Sequence, residues 1–79
     1  MKLSVNAIYR PTGEGLNFNY SMENLRSDRL YRLTTLDKTL SGMHHYEILH
    51  LDGKKTGSYN TFYSHHFEEW TANRVSIYE

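Results

Sequence analysis

A chain of 79 residues without a single cysteine has to hold together on an uncross-linked core. A domain this small buries only roughly 60–65% of the surface its unfolded chain exposes. No disulfide framework supplements that core, and no thiolate is available as a nucleophile or metal ligand. Globular domains commonly run to about 100–150 residues, so residues 1–79 are expected to form one domain.

The core is also thin in composition. Leu, Ile, Val and Phe make up about 22% of the chain, close to the roughly 20% level at which disorder sets in. Two features offset this: the formal net charge is zero, and seven Tyr, three Phe and one Trp are present. Each aromatic ring buries about 150–250 Å² when well packed. Tyrosine hydroxyls favour water, so many of these rings are expected at the rim of the core. Aromatic surface would then be left for a partner. Association into a homodimer would relieve the thin core by the same means. Zero net charge argues against a strong electrostatic hold on nucleic acid or anionic lipid.

No apolar run approaches the ~20 residues that span a bilayer. Met1 to Asn6 lacks the apolar centre of a signal peptide. A cytoplasmic protein without membrane contact is expected.

The pattern along the chain predicts mostly strands. Leu3, Val5, Ala7 and Tyr9 alternate with Ser4 and Asn6, which suits a half-buried strand over 3–9. Pro11-Thr12-Gly13-Glu14-Gly15 reads as a turn. Leu16 to Tyr20 alternates again, predicting a β-hairpin with the first strand. Leu30, Leu33, Leu36 and Leu40 suit a helix capped by Ser27 and closed by Gly42. The Thr34-Thr35 pair and Tyr31 suit a pleated surface instead, and a strand over 29–36 is favoured. Tyr46 to Leu51 predicts a strand running into a type I′ turn at Asp52-Gly53, with its partner over Gly57–Tyr63. Ser64, Glu68 and Glu69 suit the start of a helix over 65–73, followed by a closing strand over 74–78. The expected fold is α+β: a small antiparallel meander of four to five strands with one short helix across a face.

Five histidines fall in two groups, His44, His45 and His50, then His65 and His66. With Glu47, Glu68 and Glu69 nearby they carry the ligand types of a transition-metal site. The candidates are His45, His50, His65, His66 and Glu69. The spacing is not that of H-E-x-x-H, and neighbouring histidines on a strand point to opposite faces. Exposed, titratable side chains are therefore the expected reading, with no metal or other cofactor. A histidine general base oriented by glutamate is chemically conceivable, but no nucleophile elbow or phosphate cradle accompanies it. A domain under ~80 residues rarely encloses the ~300 Å³ that a substrate pocket needs, so no catalysis is expected.

Two binding readings remain. Arg26, Arg29 and Arg32, with Lys38 nearby, interleave with Tyr31 in the manner of a single-stranded nucleic-acid platform, where each stacked base contributes about 1–3 kcal/mol. An RNP-type aromatic sequence and an overall basic charge are missing. The favoured reading is a non-catalytic protein-binding module, inhibitory or regulatory, because Trp, Tyr and Arg dominate interface hot spots. Its candidate contacts are Tyr59, Tyr63, Trp70, Tyr31, Arg26, Arg29 and Arg32. An open sheet edge could also accept a partner strand. Such a protein would suit a phage or mobile element that targets a host factor.

Overall fold

A computed structural model describes residues 3–39 and 42–70. Five strands form one antiparallel sheet: β1 (Ile8–Pro11), β2 (Arg29–Thr35), β3 (Met43–His50), β4 (Lys55–Tyr63) and β5 (Phe67–Glu69). A short helix, α1 (Gly13–Asn17), follows β1, and a 3-10 turn at Ser64–His66 joins β4 to β5. The strand order is β4-β3-β2-β1-β5. The expected α+β class, mostly antiparallel sheet with one short helix, is the fold observed. No helix among the described residues is long and apolar enough to cross a membrane.

The central ladder is laid down by sequence neighbours. β2 pairs with β3 from Arg29↔His50 to Thr35↔His45, and β3 pairs with β4 from Met43↔Tyr63 to Leu49↔Lys55. The strand favoured over 29–36 is therefore β2, where β-branched and aromatic residues outweigh the helical leucine spacing. The β3–β4 turn is not type I′, which requires φ > 0 at both central residues. Gly53 has φ +89 while Asp52 does not enter the positive region. The Gly53 N–H donates to the His50 carbonyl and the His50 N–H to the Lys54 carbonyl, both at 2.8 Å. A three-residue loop closed by a left-handed glycine results, its twist matching the strands.

The remaining elements depart from the sequence pattern. The first strand begins at Ile8 rather than Leu3, and its partners are β2 and β5. The predicted strand over 16–20 does not form. Residues 13–17 are helical, with the Thr12 side chain accepting from the Gly15 N–H at 3.1 Å as an N-cap. Capping satisfies a donor that would otherwise be orphaned, and it overrides the alternation of Leu16, Phe18 and Tyr20. The predicted helix over 65–73 does not form over its described part, 65–70. Phe67–Glu69 is extended and paired to β1 through Tyr9↔Glu69, Arg10↔Glu68 and Pro11↔Phe67. Three inter-strand pairs and the Arg10–Glu68 ion pair at 2.7 Å replace what a short helix would have gained. The predicted strand over 74–78 lies outside the described residues.

One face of the sheet carries the core. Tyr9, Tyr31, Leu33, Tyr46, Ile48, Phe62 and Phe67 pack there, closed by Tyr20 and Leu25 from the α1–β2 segment. The tyrosines do not gather at the rim: Tyr9, Tyr20, Tyr31 and Tyr46 are all buried. Backbone donors make this tolerable. The Ser4 N–H donates to the Tyr9 hydroxyl, Arg26 N–H to Tyr31, and Tyr63 N–H to Tyr20, each at 2.9 Å. Hydroxyls that meet backbone N–H groups lose little on leaving water. Tyr46 differs, since its hydroxyl has no hydrogen-bond partner among the described residues.

Candidate functional site

The two sheet edges differ. β5 is three residues long, whereas β4 has nine and pairs, among the described residues, only with β3. Edges are normally guarded by charge, proline or a bulge. β4 has a register shift and Lys55 at its start, but Ser58 to Tyr63 contains no charged residue and no proline. Two donors on this stretch are already engaged: Thr61 N–H by the Asn60 side-chain oxygen and Tyr63 N–H by the Tyr20 hydroxyl, both at 2.9 Å. Side chains rather than backbone therefore dominate what this edge presents.

Tyr59 is 61% exposed on that strand. Its hydroxyl donates to Glu47 Oε2 at 3.4 Å, which lays the ring across the open face of the sheet. Glu47 itself is fully buried beneath Arg32, whose Nε donates to Oε1 at 3.0 Å and whose Nη2 also bonds that oxygen. The Arg32 guanidinium holds the Glu47 carboxyl below the usual glutamate range. Two residues along from Tyr59, Thr61 and neighbouring Asn60 line a cleft of about 150 Å³ with Tyr20, Ser21, Met22, Glu23 and Met43. Met22 stands at its mouth, 85% exposed. Methionine adapts its shape to varied partners; Tyr59 stays outside the cleft lining.

The other sequence candidates fall elsewhere. Tyr63 is half-buried against Phe18 and His66. Trp70 is half-buried, with the Arg10 guanidinium 6.0 Å from its ring centre; it borders a second cleft, of about 270 Å³, with Asn6, Ala7, Ile8 and Glu69. Tyr31 is 1% exposed, so its ring offers no face on which a base or partner could stack. The arginine run is spent on carboxylates. Arg26 and Arg29 both meet Asp28, at 2.7 and 3.3 Å, and Arg32 meets Glu47. Hydrogen bonding from Arg26 lowers the Asp28 carboxyl to about 2.

The histidines divide differently from the sequence grouping. His44 Nδ1 accepts from the Asp37 N–H at 2.9 Å, and His45 Nε2 lies 2.8 Å from Asp37 Oδ2. Thr39 and His45 together hold the Asp37 carboxyl at about 2. His50 is exposed at the end of β3 and Glu69 is exposed on β5. Neither joins His65 and His66. These two come together because they occupy a 3-10 turn, where neighbouring side chains do not alternate as they do on a strand. Their ring centroids are 4.2 Å apart. Glu14, which the sequence pattern left inside a turn, completes the group: donor atoms of Glu14, His65 and His66 lie within 4.8 Å of one another.

His66 is the fixed member. It is buried, with Nδ1 2.6 Å from the Tyr20 hydroxyl and the ring against Phe18, Tyr20 and Tyr63. Burial, and then the neighbouring His65, push its pKa down, which favours the neutral imidazole. Its backbone is pinned to α1, since the Thr12 N–H donates to the His66 carbonyl at 2.9 Å. Comparison with known protein families, with curated proteins and with solved structures found no match to this chain.

Proposed function

We propose that this chain is a non-catalytic domain that acts by binding another protein through the β4 edge, as an inhibitor or regulator of its target. The observation carrying the proposal is the exposure of Met22 and Tyr59, the two most exposed large apolar side chains among the described residues: Met22 lines a small cleft with Asn60 and Thr61 of β4, and Tyr59 stands on the uncharged stretch of the same strand. Hot spots favour rigid aromatic anchors near a pocket that excludes water, and Tyr59 is held by Glu47 before any partner arrives. The cleft admits one side chain of a partner rather than a whole small-molecule substrate, which usually needs about 300–1,000 Å³.

Affinity capture from native cells tests this reading. Wild-type protein and a Met22→Asp/Tyr59→Asp variant, both shown to be folded by circular dichroism, serve as baits. A specific protein retained by wild type and lost by the variant supports the proposal. Equal capture by both, or a wild-type bait that retains only nucleic acid, contradicts it.

A further inference from the structure

We propose that Glu14, His65 and His66 form a binding site for a divalent transition-metal ion of the zinc class, independent of the β4 edge. Two imidazoles and one carboxylate are a standard donor set for such an ion, with further positions left to water. Tetrahedral ligands at zinc distances lie roughly 3.4 Å from one another. The donors here lie within 4.8 Å, so closure requires a contraction of about an ångström. Glu14 and His65 are exposed and can supply it by rotating their side chains.

The rest of the site is already built. His66 has one ring nitrogen fixed by Tyr20, and Nε2 makes no hydrogen bond among the described residues. Metal-binding histidines characteristically have the second nitrogen held in this way, which sets ring orientation and tautomer. With the imidazole proton on Nδ1, the Tyr20 oxygen accepts from both His66 and the Tyr63 N–H, using its two acceptor positions, and Nε2 presents the lone pair that a metal ion needs. Glu14 is brought to the histidines by close backbone packing. A Cβ at the next residue, Gly15, would approach the His66 carbonyl oxygen to 2.4 Å, so only glycine lets α1 lie this near the 3-10 turn. One carboxylate and two neutral imidazoles would leave a bound divalent ion with a net charge of +1, a balance this partly exposed position can solvate.

Equilibrium dialysis of untagged protein against zinc chloride tests the site, with Glu14→Gln and His65→Ala as variants. Both residues are exposed, so the fold is retained, as circular dichroism would verify. We expect one zinc per wild-type chain with micromolar affinity, weakened at least 10-fold in each variant. Cobalt(II) should show the intense visible absorption of tetrahedral coordination with wild type only. Absence of saturable binding by wild type up to millimolar zinc would overturn the proposal. So would binding that both variants retain unchanged, since that would assign the ion to other histidines.

Discussion

Replacing Gly15 by alanine probes the contact on which the α1 corner depends. The added Cβ would stand 2.4 Å from the His66 carbonyl oxygen, 2.8 Å from its Cβ and 3.1 Å from Leu25 Cδ1. The first two atoms belong to a segment tied down by Thr12 and by the β1–β5 pairing, so relief requires α1 to move. Overpacking of this kind typically costs about 1–3 kcal/mol. Alanine also gains up to about 1 kcal/mol over glycine in a helix, which would mask part of the cost. Gly13→Ala supplies the reference, because nothing lies within 4 Å of a Cβ placed there. The difference between the two variants isolates the clash. For a domain of this size it corresponds to a gap of roughly 4–20 °C in melting temperature. Thermal unfolding followed by circular dichroism measures it. A Gly15→Ala protein melting at or above Gly13→Ala would refute the close approach of α1 and the 3-10 turn.

Three further outcomes are expected. Tyr46→Phe removes a buried hydroxyl that has no partner among the described residues; a group of this kind costs about 1–3 kcal/mol. Urea unfolding should therefore show the variant to be the more stable protein. Gly53→Ala, at φ +89, should cost about 1–2 kcal/mol, with Gly53→Asn milder, in the same assay. Asp37 has its folded pKa lowered to about 2 from an unfolded value near 3.9. Its contribution to stability is present above the unfolded value and lost as pH falls towards 2. Asp37→Asn should therefore be less stable than wild type at pH 6 and converge with it near pH 2, as urea midpoints across that range would show.

The parts of the fold legible in the sequence are those made by neighbours. Arg29–Thr35, Met43–His50 and Lys55–Tyr63 carry β-branched and aromatic residues between turns, and consecutive strands pair. What the pattern missed depends on distant partners. Phe67 and Trp70 have helical spacing, yet β5 is fixed by β1, more than fifty residues earlier in the chain. Leu16, Phe18 and Tyr20 alternate without forming a strand, because Thr12 caps α1 and Tyr20 turns inward to His66. Two glycines within five helical residues hid that helix from propensity. The placement of the tyrosines was illegible for a related reason, since hydroxyl burial depends on backbone N–H groups that no local pattern reveals. Of the candidate residues, the exposed ring of Tyr59 and the proximity of His65 to His66 could be approached from sequence. Met22 and Glu14 could not, because each acquires its neighbours only when α1 and its following loop fold back on the end of β4.

Backbone amide hydrogen exchange of the domain, alone and with its captured target bound, tests most directly whether this molecule works through its β4 edge. Slowed exchange confined to residues 20–23 and 58–63, with β1 and β5 unchanged, is the predicted result. Protection centred instead on Arg10, Glu68 and Trp70, with residues 58–63 exchanging as fast as in the free protein, would contradict the account.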